Sequence, residues 1–235
     1  MFQRLSRYAL LRQPLQAVAM ATLLVAASSA HAAALAPFNA TYQASYMGMQ
    51  ANAQMNLARE GSRWKYSLNI RNQVADLSQV TVFDEHQGQL RPLTSSDRSV
   101  ALIKRKSVQA SYDWNASQAT WSGDIKPERR GPVALQSGDM DALLINLAMV
   151  RDVAAGKPLN YRLVDEGRAK PMTYEVAGQE QISVAGKSRQ ATKVVRRDDK
   201  RETIAWVVSG VPIPARILQR ENGRDTIDLT LQSWN

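Results

Sequence analysis

The side chains that most often catalyse reactions or hold metals are scarce in this chain of 235 residues. It contains no cysteine and two histidines, His31 and His86. A tetrahedral zinc site therefore lacks its usual ligands, and a Ser-His-Asp triad would depend on His86 alone, without a G-x-S-x-G around any serine. His86 lies in the turn-like stretch DEHQGQ, which favours a solvated residue over a base. We expect no catalytic residue, no metal and no cofactor.

Carboxylates are the remaining candidates, because glycoside hydrolysis and calcium binding require only oxygen atoms. Helix capping explains Asp139 and Asp141, and a hairpin turn explains Asp198 and Asp199; neither pair has the spacing of a calcium loop. Other acids fall at predicted strand ends or turns, namely Glu60, Asp84, Glu85, Asp165 and Glu166. Two of these acids meeting in a cleft would make a cofactor-free hydrolase, which is one of three functional hypotheses.

Basic side chains are concentrated in KSRQATKVVRRDDKR, residues 187–201, which hold seven basic and two acidic residues and therefore a net charge of +5. A solvated edge hairpin explains them, since lysine and arginine keep edge strands from mispairing. The alternative is a surface that docks phosphate or carboxylate groups. Its candidate residues are Lys193, Arg196, Arg197, Lys200 and Arg201. A shorter basic stretch, KRK, occupies residues 104–106.

Residues 1–32 have the features of a signal peptide. Arg4, Arg7 and Arg12 precede the apolar run AVAMATLLVAA, and Ala30 and Ala32 have the small-x-small spacing of a signal peptidase site. We expect cleavage near Ala32. The arginines are not adjacent, which favours the general secretion route and a periplasmic destination.

Removing the signal leaves residues 33–235, which we interpret as a single β-rich domain. The formal charge falls from +9 to +6, because the signal contains three arginines and no acid. Export argues against nucleic acid as the partner and favours an anionic envelope surface or a periplasmic protein. The mature chain has no apolar run as long as the ~18 residues of a transmembrane span.

Alternating apolar and polar residues indicate short antiparallel strands throughout the mature chain. The stretch WKYSLNIRNQV places Trp64, Tyr66, Leu68 and Ile70 on one face and polar residues on the other. Turn residues separate these runs at intervals that leave no room for crossover helices. Neighbouring strands should therefore pair antiparallel, without a parallel nucleotide-binding sheet.

One stretch departs from this pattern. GDMDALLINLAMVRDVAAGKP, residues 138–158, predicts a helix over about 139–155, with Asp139 as N-cap and Gly156 and Pro158 as the stop. A helix of this length reaches across the open side of a curved sheet. We therefore predict a mainly β fold, a curved antiparallel sheet or open half-barrel with this one long helix packed in its concave side.

The helix carries two apolar stripes. The broad stripe runs from Met140 through Leu147 to Ala154, and the opposite, narrower stripe consists of Ile145, Met149 and Val153. Ordinary packing explains the narrow stripe. The functional alternative is that Ile145, Met149 and Val153, together with Leu147, line a cavity that admits an acyl chain.

The opening FNATYQASYMG and the closing WVVSGVPIPARILQRENGRDTIDLTLQSW resemble an uncharacterised family of exported bacterial proteins that contain a domain of unknown function. In the closing stretch a tryptophan strand leads through a turn to Pro-x-Arg and a glycine hairpin. The predicted sheet and helix are also similar in kind to the periplasmic carriers LolA and LolB and to the sensor RseB. These resemblances imply a half-barrel with an apolar concave face and a binding role.

The leading hypothesis is a non-catalytic periplasmic carrier for an apolar or amphipathic, lipid-like envelope molecule. The second is an envelope interaction or regulatory module that binds another protein, and the third is the cofactor-free hydrolase. A bound lipid, a bound protein or two converging carboxylates would distinguish them.

Overall fold

Antiparallel pairing joins 13 strands of the chain into one sheet, and three further strands form a second, small sheet. The computed structural model describes residues 35–46, 48–73, 75–101 and 104–235, so the predicted signal peptide lies outside the described residues. The strands are β1 (Phe38–Tyr46), β2 (Met49–Glu60), β3 (Arg63–Arg71), β4 (Ala75–His86), β5 (Gln89–Ala101), β6 (Lys104–Asp113), β7 (Gln118–Gly123), β8 (Val133–Ala134), β9 (Asp139–Met140), β10 (Asn160–Asp165), β11 (Arg168–Thr173), β12 (Glu175–Val184), β13 (Lys187–Arg197), β14 (Arg201–Val208), β15 (Arg216–Glu221) and β16 (Arg224–Trp234). A 3-10 turn spans Pro127–Arg129 and the helix α1 spans Ala142–Ala154.

The large sheet runs in the order β12-β13-β14-β15-β16-β1-β2-β3-β4-β5-β6-β7-β8. Each neighbouring pair is antiparallel, and every pair but one is consecutive in the chain. The exception joins β1 to β16 in the middle of the sheet. Among the described residues no pairing joins β12 to β8, so the curved sheet is an open half-barrel, as predicted.

Alternation places the core on one face of the sheet. In β1, Phe38, Ala40 and Tyr42 are buried while Asn39 and Thr41 between them are exposed. This pattern follows from the period of two in a strand, which sends successive side chains to opposite faces. The apolar alternation in the sequence therefore gave the correct inward face.

The N-cap of helix α1 lies two residues later than predicted. Asp141, not Asp139, is its N-cap, because a carboxylate oxygen of Asp141 accepts a 2.8 Å hydrogen bond from the Leu144 amide. The helix packs against β3, β4 and β5 of the large sheet and against β10, and residues of both of its apolar stripes, such as Leu144 and Met149, are buried. No helix among the described residues is both long enough and apolar enough to cross a membrane.

The small sheet has the order β11-β10-β9 and contains a parallel pair that the sequence did not predict. Asp139 and Met140 in β9 pair parallel with Arg162 and Leu163 in β10, and the helix is the crossover between these two strands. The chain passes at Tyr174 from β11 in the small sheet to β12 in the large one.

Candidate functional site

A cavity of about 410 Å³ lies inside the curved sheet. Its walls come from six strands on one side, β1 to β6, and from β14, β15 and β16 on the other. The first half of α1 contributes to it as well, together with Met172 of β11 and Tyr174. Apolar side chains make up most of the lining: Tyr46, Met55, Leu68, Ile70, Leu77, Leu143, Ile145, Met172, Ile217, Ile227 and Leu229.

The cavity lies toward one end of the sheet. In β3 the inward Trp64 and Tyr66 are buried, whereas Leu68 nearer the other end is half-buried. Likewise β4 passes from buried Phe83 to half-buried Leu77. The sheet is therefore tightly packed at one end, and its apolar interior reaches solvent at the other.

Polar groups occupy one part of the cavity wall. Gln79 donates a 3.1 Å hydrogen bond to Asp97 across the β4–β5 ladder, and both residues line the cavity. Lys106 lines it from β6, and its Nζ lies 2.5 Å from a carboxylate oxygen of Glu166. That hydrogen bond holds the pKa of Glu166 below its ordinary value. The remaining polar lining residues are Ser99, Asn146, Thr203 and Gln219.

Of the four cavity residues predicted on the helix, the structure places Ile145 on the cavity wall. Leu147 and Met149 are buried and lie outside the lining, and Val153 is half-buried and also outside it. The helix crosses the sheet so that only its residues Ala142, Leu143, Ile145 and Asn146 face the cavity.

A buried acid fixes the helix beside the cavity. Asp141 is 4% exposed, and its Oδ2 accepts a 2.5 Å hydrogen bond from the Thr81 hydroxyl of β4. Burial raises the pKa of Asp141 from 3.8 to about 6, although its hydrogen bonds with Thr81 and with the Leu144 amide oppose that rise. The first turn of the helix is thereby attached to the large sheet next to Leu143.

The predicted anion-docking residues lie on β13, on β14 and, for Lys200, in the turn between them, and four of the five already have a carboxylate partner. The pairs are Lys193–Glu180 at 3.2 Å, Arg196–Asp198 at 2.8 Å, Arg197–Glu202 at 2.8 Å and Arg201–Glu221 at 3.3 Å. Lys193 additionally lies 5.5 Å from the centre of the Trp206 ring, and Arg216 lies 4.9 Å from it. An anionic partner would compete with these internal pairs, so docking at this surface stays a prediction.

Two of the acids proposed for a hydrolase, Asp165 and Glu166, lie near the cavity residues Asp97 and Lys106, and burial together with the charge of Glu166 raises the pKa of Asp165. Asp84 pairs with Arg91 at 2.7 Å and Glu60 pairs with Lys65 at 3.2 Å, so both are occupied elsewhere. Asp97, which the sequence analysis missed, is the single carboxylate among the described cavity-lining residues. No cluster of three or more potential metal-binding residues occurs in the described part of the chain.

Residues 41–230 match the family described as "Protein of unknown function (DUF3108)". No curated protein matches the chain. Among solved structures, the chain is similar to a β-barrel-like protein of the domain of unknown function DUF1849 from Brucella abortus, with a TM-score of 0.54 and 11% identity over 86% of this chain and 98% of that one. This likeness shows a shared fold.

A second similar structure is the Pseudomonas aeruginosa MucA/MucB complex, with a TM-score of 0.40 and 13% identity. The match covers 85% of this chain and 51% of the other, so the present chain corresponds to about half of that protein.

Proposed function

This chain belongs to the DUF3108 family, and we propose that it is a non-catalytic periplasmic carrier of an apolar or amphipathic, lipid-like envelope molecule. The cavity at the open end of the sheet carries the proposal. Its volume of about 410 Å³ falls within the range of roughly 300–1,000 Å³ that small-molecule sites occupy.

The half-buried state of the inward apolar residues supports binding. Leu68, Leu77 and Ile227 face the cavity without being fully covered by protein. An apolar ligand would remove their remaining surface from water, which is favourable at about 25 cal/mol per Å². Tightly packed residues at the other end, such as Phe83, offer no such gain.

The distribution of polarity favours an amphipathic ligand over a purely apolar one. Asp97 and Lys106 are exposed on the β5–β6 part of the wall, whereas Leu143, Ile145 and Ile217 are buried. A molecule with an acyl tail and a polar head would place its tail against the half-buried Leu68, Leu77 and Ile227. Its head would lie beside Asp97 and Lys106.

A periplasmic location is part of this proposal. It rests on the signal-like features of residues 1–32, including the small residues Ala30 and Ala32. The general secretion route delivers an unfolded chain, and the absence of cysteine allows that chain to fold by burial and strand pairing alone.

The experiment that tests the carrier function is a titration with a fluorescent fatty acid in solution. Ile227→Trp adds a large ring to the cavity wall and should weaken uptake at least about tenfold, since overfilling removes space for the ligand. Ile182→Trp is the matched control, because Ile182 is also half-buried on a strand but does not line the cavity.

Wild type and Ile182→Trp should bind with similar affinity. Failure of the wild-type protein to bind the probe, or equal losses in both variants, would contradict the cavity as the binding site. Native mass spectrometry of protein purified from its own compartment would then identify the natural ligand or a bound protein partner.

A further inference from the structure

Five hairpin turns lie at the end of the large sheet where the cavity is open. They connect β1 to β2, β3 to β4, β5 to β6, β13 to β14, and β15 to β16, and antiparallel pairing puts all five at the same end. We call the described residues of these turns, with the two strand residues on either side, the rim. Tyr46 and Ile70 belong to both the rim and the cavity lining, so the rim adjoins the cavity mouth.

The rim exposes apolar side chains that a soluble surface does not require. Three large apolar side chains are exposed among the described residues: Met49 (45%), Val100 (37%) and Val176 (59%). Met49 is the first residue of β2 and Val100 lies at the end of β5, so two of the three are on the rim.

The same rim has an excess of positive charge. Most rim charges form internal pairs, such as Arg71 with Asp76 at 2.7 Å. Among the described residues, the rim bases that make no ion pair are Lys104, Arg105, Lys200 and Arg224, all of them exposed. Among the described residues, Asp199 is the one rim acid that makes no ion pair. The four unpaired bases and this unpaired acid give the rim an excess of three positive charges.

We propose that the rim docks the protein onto a phospholipid bilayer that carries anionic headgroups. Unpaired lysine and arginine are attracted to such a surface by about 1 kcal/mol each, and exposed apolar side chains enter the interface beside them. Docking in this orientation places the cavity mouth against the membrane. The inference deepens the proposed carrier function and rests on it, because a lipid-like ligand would then enter or leave without crossing water.

The test is flotation of the full mature protein with vesicles of phosphatidylethanolamine and phosphatidylglycerol. The double variant Lys104→Glu, Arg105→Glu should bind at least about tenfold more weakly than wild type. The control is Lys187→Glu, Arg189→Glu, which makes the same change of charge at exposed positions at the opposite end of the sheet. The vesicle affinity of this control should stay within about twofold of that of the wild-type protein.

A further variant tests the apolar contact. Val100→Gln should weaken vesicle binding roughly two- to fivefold relative to wild type. All three variants change exposed residues, and each should retain the wild-type circular dichroism spectrum.

Equal losses in the two charge variants, or no binding by wild type, would overturn rim docking. Neither result would affect the carrier function, because uptake of a fatty acid is measured in solution without vesicles. The rim variant should therefore keep the wild-type affinity for the fatty acid. If the wild-type protein floats with the vesicles but takes up no fatty acid, docking stands and the carrier function fails.

Discussion

The Thr81 hydroxyl donates a 2.5 Å hydrogen bond to Oδ2 of Asp141, and this bond joins the middle of β4 to the N-cap of the only α-helix in the described part of the chain. Both side chains are buried. The helix therefore begins at a fixed point on the sheet, and Ala142 and Leu143 immediately after that point are held on the cavity wall.

Replacing Asp141 with asparagine should remove a pH dependence of stability. Because burial raises the pKa of Asp141 from 3.8 to about 6, the folded protein binds more protons than the unfolded chain between these two values. The free energy of unfolding should therefore fall as the pH rises through that window. Asparagine retains the cap and stays neutral, so Asp141→Asn should lack this fall of about 1–3 kcal/mol in the free energy of unfolding.

Urea unfolding across that pH range measures the effect. Asp199→Asn is the control, since Asp199 is exposed and unpaired among the described residues. If Asp141→Asn keeps the wild-type slope between the two pKa values, the buried charge is not the cause.

Replacing Thr81 with valine keeps the shape of the side chain but removes its hydroxyl. Oδ2 of Asp141 would then lack its hydrogen bond in a buried site, which should cost about 1–3 kcal/mol. The pKa of Asp141 should rise further, because the bond with Thr81 normally lowers it. Thr81→Ser restores the donor and should recover most of the stability in thermal unfolding; equal losses in the two variants would show that the hydroxyl is unimportant.

Substitutions of Met149 and Leu77 should affect stability and ligand binding differently. Met149 is 1% exposed and lies outside the cavity, so Met149→Ala should cost about 2–5 kcal/mol and leave fatty acid affinity unchanged in the folded protein. Leu77 is half-buried on the wall, so Leu77→Ala should cost less stability and weaken binding about threefold or more. Urea unfolding and titration with the fluorescent fatty acid on the same samples measure the two effects. Weaker binding by Met149→Ala together with unchanged binding by Leu77→Ala would contradict this cavity as the binding site.

Gly167 should be far less tolerant of substitution than Gly186, although both lie in hairpin turns with positive φ, +71° and +73°. A Cβ on Gly167 would lie 2.0 Å from the carbonyl oxygen of Arg129, whereas a Cβ on Gly186 would meet no atom within 4 Å. Gly186→Ala should cost about 1–2 kcal/mol from backbone strain alone, and Gly167→Ala should cost more because backbone must move. Equal melting temperatures for the two variants would contradict the close approach of the β10–β11 turn to residues 127–130.

Local patterns in the sequence were sufficient to predict that most of the chain forms short antiparallel strands and that one helix interrupts them. Alternation in WKYSLNIRNQV gave the correct inward face of β3, since a strand has only two faces. The start of the helix was wrong because Asp139 and Asp141 are equally good caps in sequence. The choice between them depends on Thr81 and on the pairing of β9 with β10, which are distant in the chain.

The residues that line the cavity could not all be found in this way. Ile145 lies on its wall, but so do Asp97 and Lys106, which have the sequence environment of ordinary exposed strand residues. What distinguishes them is the curvature that brings β5 and β6 to face β15 and β16 across the interior. Curvature arises from the whole sheet and leaves no short motif in the sequence.

The pairing of β1 with β16 has a consequence for how the chain reaches its native state. On one edge β1 pairs with β2, which follows it directly in the chain. On its other edge β1 pairs with β16, which is about 180 residues away in the chain. Contacts between such distant segments slow folding, because a long loop must close before they form. Each half of the half-barrel is built from pairs of consecutive strands, so we expect the seam between β1 and β16 to form after the local hairpins on either side of it.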